Sequence, residues 1–153
     1  MYVCWSDKYV LGNALIDTQH RMLMMLCRKL DIAIKTRQDP QAIQRVILEV
    51  KKFAEFHFVS EQNLMHEIGY PEVEAHSRLH NTLLLELQTE LQKIRHGSEF
   101  PEDLLYMLNH WLMDHIASED AKIESYLRSA AKRPIGDSLY SEFFFAHEPV
   151  APS

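Results

Sequence analysis

The chain has 153 residues, 46% hydrophobic and 25% charged, a composition that suits one globular domain with no need of disulfide staples. Lys and Arg number 16 against 22 Asp and Glu, and the net charge of −6 argues against a nucleic-acid or anionic-membrane binder. No apolar run approaches the ~18 residues of a spanning helix, and the opening residues lack the basic-then-apolar pattern of a secretory signal. Cytoplasm is the expected location, and Cys4 and Cys27 are too few and too irregular for a disulfide framework or a thiolate metal site. Two counts stand out, four glycines and nine histidines. The first favours helices over a sheet, and the second is the composition of a metal site before any spacing is read.

Taken in chain order, residues 1–16 form an arm carrying Trp5, Tyr9 and Gly12. A first helical stripe follows through Ile16, His20, Leu23, Cys27, Leu30 and Ile34, in steps of three and four. Asp39-Pro40 offers an N-cap and a proline for the first helical position of a second helix. Its stripe reads Val46, Val50, Phe53, His57, Glu61, Leu64 and Ile68 and stops at Gly69-Tyr70-Pro71. The third runs through Val73, His76, His80, Leu83, Leu87, Leu91 and Ile94 to Gly97-Ser98. Pro101-Glu102-Asp103 starts the fourth, with Leu104, Leu108, Trp111 or Leu112, His115 and Ile123, and Lys132-Arg133-Pro134 and Gly136 close it. Four amphipathic helices with short connections predict an all-α, up-down-up-down four-helix bundle over residues 1–133, with a C-terminal tail over 134–153.

The stripes would serve as a core by themselves, so the polar residues inside them need a reason. His57 and Glu61 are four apart, as are His76 and His80, and each pair projects from one helix face. His20 and His115 sit in the stripes of the first and fourth helices, and Glu119 and Asp120 follow the latter. One histidine in an apolar stripe is ordinarily a satisfied core residue. Five of them with two carboxylates at one level would be costly unless they satisfied one another or bound cations. Such a donor set suits iron, zinc, copper or nickel, and seven ligands suit two metals better than one. His66, His96, His110 and His147 lie off these faces and read as surface residues. The ferritin-like alternative requires E-x-x-H pairs, and the chain contains none.

The run Trp5-x3-Tyr9-x2-Gly12-x3-Ile16-Asp17-x-Gln19-His20 resembles the opening of the hemerythrin family in its bacterial, single-domain branch. His57-Phe58-x2-Glu61-x2-Leu64-Met65-x3-Gly69-Tyr70-Pro71-x4-His76-x3-His80 is similar to the family's central signature, and Trp111-x3-His115-Ile116-x3-Asp120 to its closing one. The resemblance covers residues 5 to about 127. It implies two iron ions, cycling between ferrous and ferric, bridged by an oxo or hydroxo group and binding molecular oxygen reversibly. Carried over by position, His76, His80 and His115 would hold one iron, His20 and His57 the other, and Glu61 and Asp120 would bridge them. Phe56, Trp111, Leu112, Ile116, Met24 and Leu84 are the residues whose spacing lets them line the oxygen pocket, though each serves equally as plain core. Gln62 departs from the family's frequent second glutamate, which concerns only the surroundings of the ligands.

Oxygen storage, delivery or buffering is the expected function. The alternatives are an oxygen or redox sensor read by a protein partner, and a di-iron enzyme acting as peroxidase, oxidase or nitric-oxide scavenger; the chain carries no acid-base pair or substrate pocket of its own for the last. Two expectations concern local structure. A regular helix places Glu119 ~40° from His115 and Asp120 ~140° away, so Asp120 can serve only if one π-type turn widens the helix. Leu139, Tyr140, Phe143 and Phe144 give residues 138–146 the pattern of a short amphipathic helix, packing back on the bundle or docking a partner or a second copy.

Overall fold

Caps and prolines set the helix boundaries in the computed structural model, which describes residues 5–130. Helix α1 (Ala14–Lys35) starts where the Asn13 side chain accepts a hydrogen bond from the Ile16 amide at 3.1 Å. In α2 (Pro40–Ile68), Asp39 accepts from the Ala42 amide at 2.9 Å, and the helix ends at Gly69, whose φ of 67° is left-handed. Helix α3 spans Val73–Arg95. Helix α4 (Pro101–Asp114) continues through a π-helical turn, His115–Asp120, directly into α5 (Ala121–Ala130), so the three form one rod.

Helix α1 packs on α2, α2 on α3, α3 on α4 and α4 back on α1, which closes the four-helix bundle the apolar periods predict. The described residues contain no strand. Two apolar clusters fill the interior. The larger holds Leu30, Ile47, Leu91, Leu104 and Leu108, and the smaller, at the end where α1 begins, holds Leu11, Ile16, Leu64, Met65, Ile123 and Leu127. Between them lies one layer of buried histidines and carboxylates.

Helix α1 begins at Ala14, inside the span assigned to the arm from sequence, because Asn13 supplies the cap. The arm is pinned rather than loose. Both carboxylate oxygens of Asp17, in the first turn of α1, accept backbone amides of the arm, Leu11 at 2.7 Å and Gly12 at 3.2 Å. Gly12 has a φ of 90°, a conformation that side-chain-bearing residues rarely adopt. Tyr9 is buried in the larger cluster, the Trp5 ring lies tilted against it at 6.1 Å between centroids, and the turn Asp7–Tyr9 packs against the π-turn. The tail, with its stretch 138–146, and also Cys4 and His147, lie outside the described residues.

Asp17→Ala leaves two arm amides without their acceptor and should cost about 2 kcal/mol, since hydrogen bonds to a charged group are worth ~1.5–3 kcal/mol each and water replaces part of the loss. Thermal unfolding checks it: a lowered Tm is expected, with Asp17→Asn retaining part of the stability because its side-chain oxygen still accepts one amide.

Candidate metal centre

Helices α1, α2 and α3 and the π-turn between α4 and α5 all contribute to the buried polar layer. His20 comes from α1, His57 and Glu61 from α2, His76 and His80 from α3, and His115 and Asp120 from the two ends of the π-turn. All seven are buried, and His20, Glu61, His80 and Asp120 have no measurable exposure. The seven positions singled out from sequence thus meet in one place. His66, His96 and His110 are exposed and take no part.

The donor atoms form two groups. Glu61, His76, His80, His115 and Asp120 each present one atom to the first, and His20, His57, Glu61 and Asp120 to the second; within each group the atoms lie within 4.8 Å of one another. Both groups share the two carboxylates.

The contacts inside the first group are incompatible with ordinary hydrogen bonding. His80 Nε2 lies 3.0 Å from His76 Nε2, 3.1 Å from His115 Nε2 and 3.1 Å from Glu61 Oε2. One imidazole nitrogen carries either one proton or one lone pair, so it cannot serve three neighbours at once. Asp120 Oδ1 is 3.0 Å from His115 Nε2 and 3.4 Å from His76 Nε2, and its Oδ2 is 3.1 Å from His20 Nε2, yet neither oxygen has a hydrogen-bonded partner. Glu61 Oε1 and both His20 nitrogens are likewise buried without a hydrogen bond. Lone pairs aimed at a common point, not at each other, are what a cation requires. The donor set fits a bound metal ion.

The π-turn makes this possible. It begins at His115 and ends at Asp120, and the widened backbone brings the fifth residue over the first. Asp120 is therefore fully buried against His115, and Glu119 turns outward to Lys122 at 2.9 Å. A regular helix would have reversed these two carboxylates.

Gln19 is the site residue that sequence reasoning leaves without a role. Its Oε1 sits 3.0 Å from His57 Nδ1, and both residues are buried. Accepting from Nδ1–H, Gln19 fixes the tautomer that leaves the Nε2 lone pair of His57 free for metal. The signal is present in the sequence, since Gln19 lies on the apolar stripe three residues after Ile16 and four before Leu23. Gln62, the departure noted above, is half-buried.

Aromatic rings wall the first group. Phe58 stacks on His80 at 3.9 Å and meets Trp111 edge-on at 5.6 Å, and Trp111 lies 5.6 Å from His115. A small apolar cavity of about 10 Å³ lies behind them, with Leu84 and Met107 in its wall. Of the residues whose spacing suggested a pocket lining, Met24, Leu112 and Ile116 are buried and Leu84 and Trp111 half-buried. Phe56 is a correction: it is 56% exposed, because the ~100° step from His57 back to Phe56 leads to the solvent side of α2, while the step on to Phe58 stays inside.

Electrostatics prepare the layer for cations. Burial pushes Glu61 and Asp120 upward, joined at Glu61 by repulsion from Asp120, but the surrounding rings outweigh this and hold both carboxyls below their ordinary range. Burial lowers His57 to about 3, so it is neutral and ready to ligate. His76 goes the other way: burial opposes its charge, yet Asp120 and Glu61 raise it to about 9.

A model of the hemerythrin HHE cation binding domain matches residues 11–127. The chain is 33% identical over 116 residues to the bacteriohemerythrin of Stenotrophomonas maltophilia, covering 76% of this chain and 75% of that one. It is 27% identical to the bacteriohemerythrin of Campylobacter jejuni over 84% of this chain and 98% of the relative, and 26% identical to that of Pseudomonas aeruginosa over 89% and 88%. A crystal structure of wild-type hemerythrin superposes with a TM-score of 0.74 at 23% identity, over 83% of this chain and 98% of the other.

Metal uptake should release protons. Below pH 9 the metal-free His76 carries a proton that a cation must displace, so apparent affinity rises with pH through neutrality and this contribution levels off above about 9. The slope is about tenfold per pH unit for each proton displaced. Calorimetric titration with Zn(II) in buffers of different ionisation heat measures it, and at pH 7 at least one proton per chain is expected to leave.

Proposed function

The chain belongs to the hemerythrin family, and on that premise we propose that it binds molecular oxygen reversibly at a non-haem di-iron centre, as a cytoplasmic store, carrier or buffer rather than an enzyme. The observation that carries this reading is the inequality of the two donor groups, five atoms against four, with both carboxylates common to them. In this reading His76, His80 and His115 hold one iron, and His20 and His57 hold the other. Glu61 and Asp120 bridge the pair alongside an oxo or hydroxo group. The pair supplies, when bound, the electrons and the coordination position that oxygen uptake needs. The side with fewer protein donors, beside His20 and His57, is the one that would leave room for it.

The chain's own residues do the rest. Gln19 orients His57. Phe58 and Trp111 close the opposite side with apolar surface, which keeps water from the first group. Mixed imidazole and carboxylate ligation leaves the centre less anionic than a carboxylate-rich one, which suits gentle redox cycling.

Optical spectra of the purified protein test the reading. Ferric bands characteristic of an oxo bridge should bleach on reduction and return with oxygen over repeated cycles. One-way oxidation, or sustained turnover of peroxide or nitric oxide, overturns it in favour of an enzyme. Glu61→Ala removes a ligand common to both irons, so its metal affinity should fall by more than the ~10–100-fold typical of losing a supporting residue. Iron analysis returning two per chain in that variant would exclude the bridge.

A further inference from the structure

The outer face of the α1–α2 pair combines exposed apolar side chains with positive charge. Met22, Met25 and Ile32 of α1 and Leu48 and Phe56 of α2 are exposed there, Met25 to 64%. Met22, Leu26, Phe53 and Phe56 line a groove of about 420 Å³ whose rim carries Glu49 and Lys52. Lys29 bridges the helices to Glu49 at 2.6 Å. Helical spacing adds Arg45 of α2 to this face, while Arg21, over the Trp5 ring, and Arg28, paired with Asp31, lie on the other flank of α1. Lys29, Arg45 and Lys52 outnumber the acidic Glu49 and Glu55 here by one, on a chain whose net charge is −6.

The C-terminal tail has the complementary chemistry. Residues 134–153 contain Asp137, Glu142 and Glu148 and no lysine or arginine, and the stretch 138–146 carries Leu139, Tyr140, Phe143 and Phe144 at helical spacing. The reach is sufficient. Helix α5 ends where Tyr126 donates to the Gly69 carbonyl at 2.9 Å and Leu127 packs with Leu11 and Ile16, that is, at the end of the bundle where α1 begins. Met22 lies six residues beyond Ile16, ~9 Å further along the axis. The eight residues 131–138 can extend to ~26 Å, enough to round the bundle end and arrive there.

We propose that residues 138–146 of this chain dock in cis, as an amphipathic segment, in the α1–α2 groove, their aromatic side chains seated on Met22, Met25 and Phe56 and the acidic Glu142 against Arg45 and Lys52. Tethering supplies an effective concentration in the millimolar range, so a weak segment suffices. The groove lies directly outside the metal layer, with Met22 two residues after His20 and Phe56 immediately before His57.

Hydroxyl-radical footprinting of the full chain tests this, with Leu85 and Tyr106, exposed on α3 and α4, as internal controls. Met22, Met25 and Phe56 should label several-fold more slowly in the full chain than in the Phe143→Asp/Phe144→Asp variant, at a concentration where light scattering gives a monomer. Raising salt to weaken the acidic contacts should recover part of the labelling. A second variant ending at Arg133 gives the same comparison if the double substitution aggregates. Equal labelling with and without the aromatic pair overturns the proposal. So does protection that survives both variants, which places another segment in the groove, and so does protection lost on dilution together with a dimeric mass, which makes the occupant a second copy.

Discussion

One imidazole nitrogen cannot answer three neighbours, and the interior of this bundle is organised around that impossibility. His80 Nε2 faces two other histidine nitrogens and a carboxylate oxygen at 3.0–3.1 Å. Such a layer, buried on all sides, destabilises the metal-free fold, because each unpartnered polar atom costs about 1–3 kcal/mol. The apolar clusters above and below it must offset that cost, and they do so with fully packed Leu30, Ile47 and Leu104 on one side and Ile16 and Met65 on the other. Stability and metal affinity are thereby linked, since a cation bound only by the folded chain returns its binding free energy to the fold.

Much of this was legible in the sequence because helices advertise their buried faces. The steps of three and four identified four stripes, and proline and glycine marked their ends. The pairs His57/Glu61 and His76/His80 needed only the rule that residues four apart share a face. Gln19 was harder, since a lone amide on an apolar stripe has no signature until its partner on another helix is known. That partner, His57, lies 38 residues away. Phe56 misled for a simpler reason, as one step along a helix turns ~100°, which carries Phe56 out to the surface while Phe58, on the other side of His57, stays buried. The start of α1 was misplaced because a helix cap belongs to both arm and helix.

The π-turn is where local propensity and function part company. Nothing in the residues His115 to Asp120 favours a widened helix by propensity, and a regular α-helix would present Glu119 to the interior. That choice would also displace Asp120 from His20, which it meets at 3.1 Å, and so detach α1 from α4 at the layer. Glu119 instead gains Lys122 at the surface. The extra residue in the turn thus exchanges one poor backbone geometry for a carboxylate aimed between two groups of histidines.

Asymmetry is the consequence of how these elements share the work. The rod of α4, π-turn and α5 gives His115 to one group and Asp120 to both, and α2 gives His57 to one and Glu61 to both. Only α1 and α3 commit to a single group, α3 with two histidines and α1 with one. A helix can place two inward ligands four apart, and α1 spends the position four before His20 on Ile16, which packs in the smaller apolar cluster. The missing sixth imidazole is therefore a packing decision at the arm end of the bundle. Replacing Ile16 by a histidine would not complete the set, because Leu11, Leu64 and Ile123 already close around that position. The same packing that holds the arm in place keeps the His20–His57 side short of protein donors.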